Sequence, residues 1–269
     1  MGLEFVFQSF KDMKTSLGKY DAYIEVNEVA LRHFLKEAER KEDPAVYVEK
    51  MAREVGINVR SDSFLETLHR MSGLYILSVY QAFEVFLGDY KEEFKGYWDT
   101  WTPKEDGETL ISNTLKNIKG LPNGSSKAIG PEHLAVVEYY RVVRNHFMHN
   151  DDKSKKLVDQ GFSKIGIYQE KIQSFYKTRS SPSSYNQLNV DDFFLFTKSA
   201  KEIGLQLSRL GAPSEEKISD LIAKPKFSKF KNNAKRLESA LILEAQSRFN
   251  IDIKESRILK LALKKVMTC

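Results

Sequence analysis

The residues best suited to chemistry lie in one stretch of ten, from Arg141 to Asn150, near the middle of the chain. Within it, Arg144, Asn145 and His149 give the pattern R-N-x-x-x-H. An arginine holds a phosphate through two parallel hydrogen bonds, and a histidine takes or gives a proton near neutral pH. Such groups are sufficient to cleave RNA through its 2′-hydroxyl without a metal ion.

Each step of that cleavage assigns a role to one of the three catalytic candidates. Arg144 would stabilise the pentavalent phosphate, and His149 would act as general base or general acid. Asn145 would orient the substrate or one of its two neighbours by hydrogen bonds. Because the nucleophile is the 2′-hydroxyl, the pattern predicts cleavage of RNA and not of DNA.

The spacing of these residues on a helix limits how they can act together. On an ideal helix Arg141, Asn145 and His149 share one face, whereas Arg144 and His149 lie about 140° apart. A frayed last turn would bring the two together, and so would a site composed of two copies of the chain. The bare pattern is weak evidence, because Arg141 and His146 have the same spacing.

The same side chains also have structural interpretations. Arg144 and His149 would both stabilise the C-terminal end of a helix dipole. Arg141 is suited either to binding phosphate or to pairing with Glu138 on its own helix. His146 is expected at the surface, with a second proton donor as the alternative. A metal site at His146 and His149 is not expected, because no third ligand is placed to complete it.

The hydrophobic periodicity and the turn residues predict an all-α fold that positions this stretch. Pro131 opens the helix that carries it, and Asp151 to Lys153 are expected to end that helix. Flexible loops are expected at 119–131 and 178–189, and Asp191 is expected to cap the helix that follows. The predicted helices cover 14–41, 44–56, about 61–94, 105–118, 131–150, 164–177, 191–210 and two or three segments in 214–267.

Composition excludes several classes of protein. The single cysteine provides neither a disulfide framework nor a cysteine metal site, which favours a reducing, cytoplasmic location. The first residues lack a basic region followed by a long apolar run, so a secretory signal is not expected. No run of about 18 apolar residues occurs, and no membrane span or membrane partner is therefore predicted.

Positive charge is concentrated at the C-terminal end of the chain. Residues 224–269 contain 12 basic and 4 acidic residues, whereas the other residues together carry a net charge of −3. The basic segment, defined here as 224–236, has six basic residues interleaved with two phenylalanines. Such a segment can bind a nucleic acid backbone and stack bases, or simply be a solvated surface held by its phenylalanines. The candidate RNA-binding residues are Lys226, Lys229, Lys231, Lys235 and Arg236.

The motif on a helix opened by Pro131 resembles that of the HEPN (higher eukaryotes and prokaryotes nucleotide-binding) superfamily, whose helical bundles carry an R-x(4–6)-H motif. The preceding long helix, through its residues 77–87, is similar to a second core helix of that family, where an aromatic and an acidic residue are common at positions like Phe83 and Glu84. The resemblance covers roughly 60–210. It leaves 1–59 as a helical N-terminal extension and 214–269 as a basic helical C-terminal segment.

The resemblance implies a function as well as a fold. It implies a homodimer in which two motifs meet in one cleft, often a metal-independent endoribonuclease of a toxin, abortive-infection or antiviral defence system. No cofactor is implied, and an antitoxin or defence partner protein is a possible binding partner. Glu84 is expected to orient Arg144 across the bundle, or to be an ordinary polar position. The alternatives are a non-catalytic HEPN dimer that binds a protein or nucleotide, and an RNA-binding regulator that acts through its basic C-terminal segment.

Overall fold

In the computed structural model, which describes residues 5–59, 66–121 and 129–268, the protein is 77% helical. No strand occurs within these ranges, so the predicted all-α class is confirmed. The helices are α1 (Gln8–Glu39), α2 (Pro44–Glu54), α3 (Thr67–Trp98), α4 (Leu110–Lys119), α5 (Pro131–His149), α6 (Asp152–Gly166), α7 (Gln169–Tyr176), α8 (Val190–Leu210), α9 (Glu215–Ile222), α10 (Ala234–Phe249) and α11 (Arg257–Thr268).

The chain forms two compact units that alternate along the sequence. The motif unit comprises Thr15–Phe83 and Gly130–Ala200, and the terminal unit comprises Met1–Lys14, Glu84–Ile129 and Lys201–Cys269. Helices α1, α3 and α8 therefore contribute residues to both units. The division expected from the sequence, into the consecutive segments 1–59, 60–210 and 214–269, remains a prediction. A compact unit can contain stretches that are distant in the chain, so the two descriptions are not directly comparable.

The core of the motif unit is built around α5. Val136, Tyr140 and Val143, which follow one another on α5 at spacings of four and three, are fully buried. Tyr140 stacks on Phe196 of α8 at 5.0 Å between ring centroids, and its hydroxyl donates to Oδ1 of Asp192 at 2.7 Å. Burial and the nearby Asp192 carboxylate both raise the pKa of Tyr140 well above its ordinary value, so this phenol stays protonated and remains a donor.

The segment 178–189, expected to be a flexible linker, is instead fixed to this core. The buried carboxylate of Asp192 accepts hydrogen bonds from the backbone N–H groups of Ser183 (2.9 Å) and Asn189 (3.0 Å). The Asn189 side chain in turn accepts from the N–H of Asp191 at 2.9 Å. Asn189, and not Asp191, is therefore the N-cap of α8, in a reciprocal capping arrangement with Asp192.

The terminal unit packs aromatic residues from three parts of the chain. Phe5 stacks on Phe249 of α10 at 5.1 Å, and Phe7 lies 4.5 Å from Tyr90 of α3. The Tyr90 hydroxyl donates to the Leu207 carbonyl of α8 at 3.0 Å. The expectation of two or three helices after residue 214 is met by α9, α10 and α11.

Helix α3 is long and contains an apolar stretch. Of the helices that the structure describes, it is the one whose length and composition would permit a membrane crossing, with a mean hydropathy of 1.2 over its most apolar 18 residues. Half of that window is buried inside the protein, and a buried core helix meets the same criteria. The predicted absence of a membrane span therefore stays a prediction.

Candidate active site

The end of α5 is fixed by two consecutive caps. Asn150 adopts the left-handed conformation (φ 50°, ψ 43°), and its N–H donates to the His146 carbonyl at 2.7 Å. Asp151 then forms a capping box with Ser154 and begins α6. Hydrogen bonding from Ser154 holds the pKa of Asp151 below its ordinary value. The residues Asp151 to Lys153, expected to end α5, therefore form the start of α6. The sequence predicted the next helix only from residue 164.

The guanidinium of Arg144 is held by an aromatic ring and an amide. Its central carbon lies 5.0 Å from the ring centroid of Tyr80 on α3, and Nη1 donates to Oδ1 of Asn145 at 3.0 Å. Arg144 and Asn145 are both half-buried. Stacking and hydrogen bonding together restrict the direction of the planar guanidinium.

Close packing of α3 on α5 supports this arrangement. A Cβ atom built on Gly73 of α3 would lie only 2.2 Å from Cε2 of Phe147, because the phenylalanine ring fills the space that glycine leaves open. Only a residue without a side chain allows α5 to approach so closely at this point. Neither Gly73 nor Tyr80 was singled out by the sequence, since their partners lie more than sixty positions away.

His149 is the last residue of α5 and is exposed to solvent. Because α5 remains helical through His149, the frayed last turn that would have brought it toward Arg144 is not observed. On a helix of this regularity the two Cα atoms lie roughly 9 Å apart and their side chains diverge by about 140°. Arg144 and His149 of one chain are thus not brought together by α5 itself.

Arg141 is engaged with Glu138, one of the two alternatives for this residue. Its Nε and Nη2 donate to the two carboxylate oxygens of Glu138 at 2.9 and 2.6 Å. The hydrogen bond to Glu138 raises the pKa of Arg141 above its ordinary value. These two hydrogen bonds use much of the hydrogen-bonding capacity of the Arg141 guanidinium before any phosphate binds.

His146 is buried, with 6% of its surface exposed, and the expected surface position is therefore wrong. Its Nδ1 lies 2.8 Å from Oγ of Ser154, and its ring lies 4.6 Å from the ring of Tyr185. The Ser154 hydroxyl also lies within hydrogen-bond distance of the Asp151 carbonyl, at 2.8 Å, and so links the His146 ring to the cap of α6.

Glu84 lies on α3 and belongs to the terminal unit, whereas Arg144 belongs to the motif unit. Its expected role in orienting Arg144 stays a prediction.

The basic segment lies in the terminal unit and begins with a 3₁₀ turn, Pro225–Phe230. Phe227 is buried and anchors this turn. The interpretation of the segment as a solvated surface held by its phenylalanines predicted such burial for both Phe227 and Phe230. Phe230 is half-buried, and two cations lie near its ring, Lys229 Nζ at 5.1 Å and the Arg236 guanidinium at 4.7 Å from the centroid.

The remaining cations of the basic segment differ in their partners. Lys224 and Lys226 both pair with Glu244 of α10, Lys226 at 2.9 Å. Lys235 is exposed and Lys231 is half-buried. Within the described residues, no carboxylate lies within ion-pair distance of Lys229, Lys231, Lys235 or Arg236.

No group of three or more histidine, cysteine or acidic side chains that could hold a metal ion occurs in the parts of the chain that the structure describes. Comparisons with protein-family models, with curated proteins and with solved structures gave no match. The resemblance to HEPN proteins therefore rests on the residues of this chain alone.

Proposed function

We propose that the protein is a metal-independent endoribonuclease of the HEPN type, acting as a homodimer in a toxin or antiviral defence system of the cytoplasm. The observation that carries the proposal is the geometry of α5. It holds the guanidinium of Arg144 against Tyr80 and Asn145 and presents an exposed imidazole, His149, at its end. A restrained cation and a solvent-accessible base are the two groups that 2′-hydroxyl transesterification requires.

The chemistry follows from the two groups. An imidazole of His149 takes the proton of the 2′-hydroxyl, and the 2′-oxygen attacks the adjacent phosphorus. Arg144 stabilises the additional negative charge of the pentavalent phosphate. The bond to the 5′-oxygen then breaks, and this oxygen takes up a proton from a second, protonated imidazole. The products are a 2′,3′-cyclic phosphate and a 5′-hydroxyl.

Two copies of the motif meet these requirements better than one. The divergence of Arg144 and His149 on an intact helix favours a composite site, in which each chain supplies one imidazole and one guanidinium. Exposed apolar residues adjoin the contact between Gly73 and Phe147, namely Leu74 (47% exposed) and Met148 (57% exposed). Apolar side chains exposed beside a functional motif support self-association on this face.

The basic segment would hold the RNA through its backbone. Lys229, Lys235 and Arg236 are exposed, and Arg236 lies over an aromatic ring. These features supply charge attraction and a stacking surface, and neither of them distinguishes one RNA sequence from another. A protein partner or antitoxin would regulate the enzyme, and no cofactor is needed for the proposed reaction.

The test compares the purified protein with His149→Ala and Arg144→Ala on a labelled RNA. Each change is expected to lower the cleavage rate by roughly 100-fold or more, and the wild-type products should carry 2′,3′-cyclic phosphate ends. His33→Ala, at an exposed histidine of α1, is the matched control and should cleave normally. Cleavage by His149→Ala at the parent rate would contradict the assignment.

A non-catalytic HEPN dimer is the second candidate, because Arg144 and Asn145 satisfy each other by a hydrogen bond in the absence of substrate. That function predicts an intact dimer and no loss of RNA that depends on His149. Sedimentation of the wild type and His149→Ala, together with the cleavage assay, separates the two candidates.

A further inference from the structure

A cavity of about 370 Å³ lies in the motif unit beside the end of α5. Three stretches of chain line it: the end of α5 with its caps, the first turns of α6, and the turn at 184–186. One lining residue, Asn150, directly follows His149, so their Cα atoms are about 3.8 Å apart. An RNA held by His149 would therefore place part of an adjoining nucleotide next to this cavity.

The α6 wall of the cavity is acidic. Asp152, Lys155 and Asp159 are spaced three and four residues apart, so they share one face of α6, and all three are exposed. Val158 is buried and contributes an apolar patch to the same lining. Two carboxylates against one ammonium favour a ligand that offers N–H donors over a phosphate.

The facing turn contributes an aromatic surface. Tyr185 is half-buried, and its ring is contacted by His146 at 4.6 Å and by His69 at 5.3 Å. The turn that carries Tyr185 lies between Ser183 and Asn189, whose backbone N–H groups both donate to Asp192, so the turn is held at both ends. A fixed tyrosine beside mixed donors and acceptors is the kind of surface on which an unpaired RNA base stacks.

We infer that this cavity is a subsite for a guanine base of the RNA that binds at the proposed active site, an inference that rests on the proposed function. Guanine offers two adjacent donors, N1–H and the 2-amino group, which one carboxylate can accept together. Uracil offers a single N–H donor, and adenine offers only its 6-amino group on the corresponding edge. The excess of carboxylates on α6, at Asp152 and Asp159, therefore favours guanine over uracil and adenine.

The experiment titrates guanosine, inosine, adenosine and uridine into the full-length protein and follows the imidazole signals of His146 by NMR. Guanosine should shift these signals and bind roughly tenfold tighter than inosine, which lacks the 2-amino group. Tyr185→Ala should weaken guanosine binding by about tenfold or more, because it removes the stacking surface. Asp159→Asn, a change of similar size at an exposed position, should weaken it comparably, whereas the control Asp106→Asn should bind normally.

Equal binding of the four nucleosides would overturn the inference, as would unshifted His146 signals at millimolar guanosine. Preferential binding of argininamide would overturn it too, because the cavity would then be a site for a cationic side chain. The subsite and the nuclease are separable, since His149→Ala should bind guanosine normally while failing to cleave RNA. Guanosine binding by a wild type that never cleaves RNA contradicts only the proposed function, and cleavage without guanosine binding contradicts only the subsite.

Discussion

The end of α5 and the basic segment both place cations near aromatic rings, yet the cations differ in how buried they are and in their other partners. Arg144 is half-buried over Tyr80, a residue of the long core helix α3, and also bonds to Asn145. Lys229 and Arg236 are exposed and lie near the ring of a half-buried residue, Phe230. The first arrangement fixes the direction of a cation, and the second supplies charge with little constraint on its direction.

This difference separates two contributions to RNA processing. Transition-state stabilisation requires donors that are already oriented before the reaction, which suits the end of α5. Attraction of a polyanion requires only accumulated positive charge and is weakened by salt, which suits the basic segment. Even there the charge is partly offset, since Glu244 pairs with both Lys224 and Lys226.

The largest effect is expected from Arg144→Lys, which keeps the charge and removes the planar guanidinium. We expect the cleavage rate at saturating RNA to fall by roughly 100-fold, because a lysine neither stacks on Tyr80 in the same way nor binds phosphate at two points. Initial rates measure the effect, with Arg32→Lys on α1 as the control. Full activity in Arg144→Lys would mean that charge alone suffices there, as in the basic segment.

The support beneath Arg144 is tested by Gly73→Ala. The added Cβ would lie 2.2 Å from the Phe147 ring, so the Phe147 ring or the helices themselves must shift, and we expect the free energy of unfolding to fall by about 1–3 kcal/mol. Gly18→Ala on α1, where nothing lies within 4 Å of the new Cβ, is the matched control. It should raise the free energy of unfolding by up to about 1 kcal/mol. Urea unfolding measures both, and equal effects would refute the close packing.

The basic segment is tested by Lys229→Gln, Lys235→Gln and Arg236→Gln in one protein. The slope of log affinity for single-stranded RNA against log salt should become shallower by about 2, because three phosphate contacts are lost. The cleavage rate at saturating RNA should not change. Lys224→Gln with Lys226→Gln should alter the slope less, since Glu244 already pairs with these lysines. A loss of maximal rate in the triple variant would place this segment in the catalytic machinery.

The smallest effect is expected at the pair on the face of α5. Glu138→Gln removes the carboxylate that holds Arg141 and should strengthen RNA binding by roughly two- to fivefold, the range of a partly exposed ion pair. Fluorescence anisotropy at low salt measures the change, with Glu37→Gln beside Arg40 as a charge-matched control. No difference between the two variants would leave Arg141 with a structural role only.

Proline at the first helical position predicted two helix starts correctly. Asp43 accepts from the N–H groups of Ala45 and Val46 and begins α2 at Pro44, as the sequence suggested. Pro131 likewise opens α5. The same kind of reasoning failed at Asp151, which was interpreted as a helix end and is the N-cap of α6. An aspartate favours turns and N-caps alike, so its type alone does not distinguish the end of one helix from the start of the next.

The composition and periodicity of the sequence by themselves determined the all-α class, the helix that carries Arg144 and His149, and the clustering of positive charge near the C-terminus. These properties depend on residues near one another in the chain. Only the tertiary structure decided that Tyr80 lies against Arg144, that His146 is buried against Ser154 and Tyr185, and that Asp192 fixes the segment 178–189. These contacts mostly join different elements, and a buried donor or carboxylate is satisfied by whichever partner the packing brings within reach.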